Sequence, residues 1–252
     1  MLGLSTRLAR PSSRSLLTYV TEGLKLFPMH DEHSEELQFV GTDSMSFDGT
    51  NDYVLCGDDT SLDITDDITM MAWVKPFSAG QTSHIIGRDD GSNRNYVLHI
   101  NGSNKYQFDF YVSNSAQSVT STSADTANVW VHLACTRHKA SGKNIIYVNG
   151  VAEDTDTDST AAIDNDDVQF SIGARDDATS DFRGSIKNVA IWSRALTATE
   201  VQNVMYKTYA GVSGRLLTGM VSWWALEESQ IAAVTKAADS HGSNTGTITG
   251  AT

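Results

Sequence analysis

Lys105-Tyr106-Gln107-Phe108-Asp109-Phe110-Tyr111-Val112 decides the fold class. Tyr106, Phe108, Phe110 and Val112 fall on one side of an extended chain, and Lys105, Gln107, Asp109 and Tyr111 on the other. A period of two means a strand with one face in a core. The pattern spreads outward. Val131, Leu133 and Cys135 alternate with His132, Ala134 and Thr136. Between such runs stand Asp89-Asp90-Gly91, Asn101-Gly102, Ser141-Gly142 and Asn149-Gly150, pairs that accept the positive φ of tight reversals. Many short strands joined by tight turns read as an all-β antiparallel protein. Glu153–Asp158, with Thr and Asp alternating and no apolar residue, reads as a solvated loop.

One helix stands out. Thr197 and Glu200 form a capping box, and Leu196 and Val201 the hydrophobic staple around it. Val201, Val204, Met205 and Tyr209 share a helical face, and Gly211 marks the end. The pattern predicts a helix over 198–209, packed on a sandwich. Residues 213–252 are a further β-rich piece, with strands expected at Val221–Leu226 and Gly246–Gly250.

The chain has 252 residues, 40% of them hydrophobic, and only 3 prolines, enough for one large packed sandwich with extensions. Its net charge of −13 argues against nucleic acid and anionic membrane as partners. No apolar run is long enough to span a bilayer. Residues 1–30 nevertheless carry Arg7, Arg10, Arg14 and Lys25 against Glu22, a net +3 that leaves −16 elsewhere. Residues 1–22 therefore read as a basic docking arm for another chain, with Arg7, Arg10 and Arg14 as partner contacts. They do not read as a signal peptide, because Ser5, Thr6 and Arg7 interrupt the apolar stretch. A short strand is expected at 23–29, and a sandwich over 23–212. Cys56 and Cys135 lie in apolar strands, as buried thiols or as a disulfide. No histidine or cysteine spacing suits zinc.

Ordered motifs add a resemblance. Ser46–Val54 (SFDGTNDYV), Ile68–Pro76 with Ala72-Trp73-Val74, Trp130–Ala134 (WVHLA), Ile146–Gly150 (IYVNG), Ile172-Gly173 with Phe182–Ile186 (FRGSI), and Trp192–Leu196 with Glu200 follow one another in family order. Over about residues 44–210 the chain resembles the laminin-G-like branch of the concanavalin A-like lectin/glucanase superfamily. The resemblance implies an antiparallel two-sheet jelly-roll sandwich with one short C-terminal helix and terminal extensions. Trp73, Trp130 and Trp192 are expected to fill the space between the sheets. The tail motifs Val221–Glu228 and Asp239–Thr247 look like the family's usual beginning, here placed last. The tail could complete its own sandwich in permuted order, contact a neighbouring subunit, or be a partial repeat.

Catalysis is not expected. Glycosidases of this superfamily need paired carboxylates in a Glu-x-Asp-x-Glu run, and none of the eight glutamates stands in one. Relatives often hold Ca²⁺, so Asp48 and Asp52 are the candidate metal ligands; Asp48 could equally cap its own turn. A glycan site is expected at Arg88, Asp89, Asp90, Asn93, Arg94 and Tyr96, where charged, polar and aromatic residues gather near a hairpin; the same residues could be an ordinary hairpin. The resemblance also implies a virion setting, since such sandwiches are frequent in viruses of aquatic bacteria. The expected function is a non-catalytic virion structural protein, of capsid decoration or appendage type, on the particle surface. It would contact other virion proteins, copies of itself and surface glycan. The alternatives are a cellular, extracellular carbohydrate- or protein-binding module, and a degraded glycosidase.

Overall fold

The computed structural model of the chain describes residues 43–227 and 235–252. The basic arm with Arg7, Arg10 and Arg14, and the strand expected at 23–29, lie outside the described residues. The strands in chain order are β1 (Met45–Asp48), β2 (Tyr53–Leu55), β3 (Ile68–Pro76), β4 (Ser83–Asp89), β5 (Arg94–Ile100), β6 (Lys105–Val112), β7 (Ser115–Ala124), β8 (Val131–His138), β9 (Lys143–Val148), β10 (Val151–Thr157), β11 (Phe170–Ile172), β12 (Arg183–Trp192), β13 (Met220–Trp224), β14 (Lys236–Ala237) and β15 (Gly246–Thr249). The helix α1 spans Ala198–Val204.

These strands form two antiparallel sheets. One has seven strands in the order β1-β12-β3-β8-β9-β10, with β13 also paired to β12. The other has eight, in the order β14-β15-β2-β11-β4-β5-β6-β7. The main core lies between them. Tyr106, Phe108 and Phe110 of β6 face Ile146 and Leu133 of the opposite sheet's strands within one buried cluster. At about 1.5–3 kcal/mol for each large side chain removed from water, this cluster is the main stabilising element.

The tryptophans depart from expectation. Trp192 and Trp223 sit in a second, smaller cluster that also takes in Leu196, Val201 and Val204. Trp73 joins that side by donating its indole N–H to Met205 O at 2.7 Å. Trp130 is only half-buried, with the Lys75 ammonium 5.4 Å from its ring. Trp224 fills the inter-sheet space instead, stacked on Phe170 with centroids 5.1 Å apart. Adjacent strand residues point to opposite faces, so Trp223 and Trp224 serve different clusters.

The capping box forms as read, with Thr197 Oγ accepting from Glu200 N and Glu200 accepting from Thr197 N. The helix stops at Val204, five residues short of expectation. Met205 O is taken by Trp73, and the chain continues in two 3-10 turns, at Tyr209–Gly211 and Gly214–Leu216. Residues 153–157 are not a loop. They belong to β10, which pairs with β9 while its side chains stay in water, except Glu153, whose carboxylate accepts Ser123 N of β7 at 2.8 Å. Backbone pairing needs no apolar face, and a row of carboxylates on an edge strand opposes sheet-to-sheet association. Glycine at 184 lies inside β12, not at a turn. A Cβ there would stand 2.4 Å from Lys75 O, so the close approach of β3 excludes a side chain.

The tail packs on its own sandwich. β1 pairs with residues 183–186 of β12, and β13 pairs with residues 189–192 on the same flank. Between them Asn188 takes φ 49° and donates its N–H to Ala225 O. β15 extends the other sheet through β2. Cys56 and Cys135 are free and buried.

Candidate functional site

The residues that matter lie on the outer face of the eight-stranded sheet, and a bulge puts them there. Arg88 pairs with Tyr96, but Asp89 pairs with Arg94, so Asn95 is an extra residue. An extra residue reverses which side chains face out. Arg94 is thereby turned outward beside Asp89, whereas ordinary alternation with Ile86 and Leu98 points Arg88 and Tyr96 inward. Both are 1% exposed, and both bond Leu62 O. Arg88 also pairs with Asp63 and donates to Val168 O. They hold the fold and cannot meet a glycan, which corrects the expectation for these two. Asp90 and Asn93 stay at the hairpin tip, where the Asp90 carboxylate accepts Ser92 N at 2.8 Å and Asn93 N at 2.6 Å.

Asp89 and Arg94 face out and meet residues from two further segments, β6 and the loop over residues 173–182. They line a pocket of about 140 Å³ with His84, His99, Asp109, Tyr111 and Arg175, among others. Asp89 is shared by two guanidinium groups, Arg94 Nε at 3.5 Å and Arg175 Nε at 3.3 Å. Arg94 is locked further, donating to Gly91 O through Nε and Nη2 and to Tyr111 OH through Nη1 at 3.1 Å. Its bond to Tyr111 raises its affinity for its proton, and burial chiefly raises the Tyr111 hydroxyl. On the neighbouring strands, His99 Nε2 lies 3.0 Å from Asp109 Oδ2, and Gln107 Nε2 donates to Asp109 Oδ1 at 2.6 Å. Burial pulls the Asp109 carboxyl up, but its bonds from His99, Ser118 and Gln107 outweigh that, and it stays below the ordinary carboxylate range. His84 is buried, which pushes its pKa down to about 3. Its Nε2 meets Ser171 Oγ at 3.1 Å, and its Nδ1 has no hydrogen-bond partner; neither has the buried Ser83 Oγ. Orphaned buried polar atoms in one place mark a site completed by water or ligand.

A loop over residues 173–182 overhangs this face and contributes Arg175 and Ser180. Ala178 and Ser180 hold φ values of 55° and 58°. Left-handed backbone at non-glycine residues is costly and gathers at functional sites.

Asp48 and Asp52 work on their own turn. Asp52 Oδ2 accepts Asp48 N at 2.6 Å, and Asp48 Oδ1 accepts Thr50 N at 2.8 Å. Burial chiefly raises Asp52. Among the described residues, no three His, Cys, Asp or Glu side chains gather as metal ligands.

The structure adds His84, His99, Asp109, Tyr111 and Arg175 to the sequence-derived set. Asp109 and Tyr111 were visible as the polar face of β6, and cross-strand pairing places Asp109 beside Val97. Arg175 comes from an irregular loop and left no periodic signal.

Comparison with known proteins bears on the fold. No curated protein matches the chain. A candidate carbohydrate binding protein from Bacteroides ovatus is similar in structure, with a TM-score of 0.66 and 20% identity. The match covers 83% of this chain and 59% of that one, so the chain spans under two thirds of that relative's length. The heptameric SAP-like pentraxin of Limulus polyphemus matches with a TM-score of 0.52 and 17% identity, over 65% of this chain and 82% of its own. The CBM40 of a Ruminococcus gnavus IT-sialidase, bound to α2,3-sialyllactose, matches with a TM-score of 0.53 and 14% identity, over 66% and 97%. At these identities the likeness is one of fold. A family profile matches residues 48–202 directly. With its strand order, its inter-sheet core and that match, the chain belongs to the laminin-G-like family of the concanavalin A-like lectin/glucanases superfamily.

Proposed function

We propose that this chain is a non-catalytic virion structural protein, of capsid decoration or appendage type, that presents its lectin-like sandwich to glycan and protein on the particle surface. The pocket between Arg94, Arg175, His99 and Asp109 carries the glycan part of this reading. It offers fixed donors and acceptors on an otherwise regular sheet, the arrangement that orients a polar ligand. Its volume is well below the roughly 300–1,000 Å³ of a pocket that swallows a drug-sized molecule. It suits one sugar unit held at its edge. Two of the similar structures, from Bacteroides ovatus and Ruminococcus gnavus, are described by carbohydrate binding.

The carboxylates of the pocket support a binding role over a hydrolytic one. A glycosidase needs one carboxyl that keeps its proton near neutrality. Asp109 is held low by its donors. In this reading Asp48 and Asp52 are turn residues, and Ca²⁺ is not required. The virion setting rests on the charge division of the sequence, in which Arg7, Arg10 and Arg14 attach the acidic body to other virion proteins or to its own copies. A cellular, extracellular binding module is the second reading, and the Bacteroides ovatus likeness favours it.

Two experiments test the proposal. A glycan array probed with the full chain should give hits that Arg94→Ala abolishes; an empty array overturns the glycan part. Mass spectrometry of purified virus particles should find the chain; its presence only in secreted cellular fractions overturns the virion part.

A further inference from the structure

The donors of the pocket are unevenly spent. Arg94 has both ends engaged, by Gly91 O, Tyr111 OH and Asp89. Asp109 is satisfied by His99 and Gln107. Arg175 is different. Its Nε faces Asp89 at 3.3 Å, and its side chain, 29% exposed, is about as open to solvent as that of Arg94 at 34%. An arginine presents five N–H donors in a planar fork, and this ion pair engages one side of it. Two guanidinium groups also share the single Asp89 carboxylate, while Asp109, the other carboxylate of the pocket, is bonded by His99 and Gln107.

Resting on the proposed glycan reading, we infer that the pocket recognises a carboxylate-bearing sugar, such as a uronic or sialic acid, through the outward edge of Arg175. A carboxylate matches the guanidinium fork in two parallel bonds, which a hydroxyl cannot do. The pocket of about 140 Å³ takes one such group and leaves the rest of the glycan outside. Arg94, whose guanidinium is bonded to Gly91 O and Tyr111 OH, acts as a positioning residue. It fixes Asp89, and Asp89 fixes Arg175. A further carboxylate near the mouth of the pocket is Asp177 on the same loop. Its Oδ2 and Arg175 Nη1 flank Gly91, 3.4 and 3.6 Å from where a side chain there would begin. Asp177 Oδ1 meanwhile accepts Thr179 N and Oγ1, so Asp177→Asn can remove the charge and keep the loop.

The test uses the full chain on an array of neutral, uronic, sialic and sulfated glycans. Each hit is then titrated calorimetrically beside its carboxyl-reduced form, which keeps the sugar and replaces the carboxylate by an alcohol. The expected result is carboxylated hits, a loss of at least about tenfold on carboxyl reduction, and a similar loss for Arg175→Ala. Arg175→Lys keeps the charge without the fork and should recover only part of the affinity. Asp177→Asn should tighten binding severalfold, and added salt should weaken it. Thermal melting verifies that each variant is folded. Hits confined to neutral or sulfated glycans, or affinities unchanged by carboxyl reduction or by Arg175→Ala, overturn the inference and leave the glycan reading standing. An array with no hits at all removes both.

Discussion

Replacing Asp239 should loosen the whole tail of the sandwich. Its Oδ1 accepts three backbone N–H groups, from Trp223, His241 and Gly242, each at 3.0 Å. Its Oδ2 accepts Asn244 N, also at 3.0 Å. The loop so formed is not peripheral. Asn244 O receives the Trp224 indole N–H at 2.7 Å, and Asn244 Nδ2 bonds Ser222 Oγ and Ser61 Oγ. One carboxylate therefore secures the reversal that seats Trp224 against Phe170. A net contribution of about 0.5–1.5 kcal/mol per hydrogen bond, reduced where water can replace the carboxylate, gives about 2–4 kcal/mol for Asp239→Ala. For a chain of this size that is a fall in Tm of about 5–15 °C. Asp239→Asn keeps one acceptor and should cost about half as much. Urea unfolding followed by tryptophan fluorescence reads both. If Asp239→Ala leaves the midpoint within about 0.5 kcal/mol of the parent, the carboxylate does not hold the tail, and the reasoning fails.

Other outcomes follow from the same contacts. Asp48→Ala should destabilise by about 1 kcal/mol through loss of the Thr50 N–H bond, with the same melting curve in Ca²⁺ and in chelator; a Ca²⁺-dependent melting temperature in the parent chain that disappears in the variant would refute it. Thr197→Ala removes the cap of α1 and should cost about 1 kcal/mol in equilibrium unfolding. His84 and His132 are buried and neutral, each pushed down to about 3. The unfolded chain takes up their protons below about pH 6.5 and the folded chain does not, so stability is full above that pH. It falls progressively from there to about pH 3, by up to about 1.4 kcal/mol per pH unit for each histidine. His132→Leu should flatten that slope, measured by urea titration at several pH values. Glu200, held at about 2 chiefly by Arg194, adds a smaller loss between about pH 4.5 and 2 that Glu200→Gln should remove; its partial exposure makes this a fraction of a kcal/mol.

Much of the fold was legible because local chemistry and global packing agree. The motif over Ile68–Pro76 has the same bounds as β3, and the capping box over Thr197 and Glu200 forms as written. The failures have physical causes. β10 was unreadable as a strand because an edge strand exposed at all but one residue carries no apolar period. The hairpin cluster divides. Alternation with Ile86 and Leu98 puts Arg88 and Tyr96 in the core, while the extra residue Asn95 brings Arg94 out beside Asp89 in the pocket. A bulge cannot be read from alternation, since it is the place where alternation breaks. Trp73 and Trp192 were correctly buried but on the wrong side, because strands covered on both faces give apolar residues no preferred side.

The division of one flank of β12 between β1 and β13 has a kinetic consequence. Residues 45–48 and 220–224, separated by most of the chain, must meet the same strand before that sheet is complete. Thr252 then joins Ser46 through reciprocal backbone bonds, closing the longest loop the described residues contain. Loop closure of this kind is slow, because the entropic cost is met before the contacts reward it. During synthesis the central strands emerge before β13, so the place that Trp224 fills between the sheets is taken only once residues 220–249 have followed them.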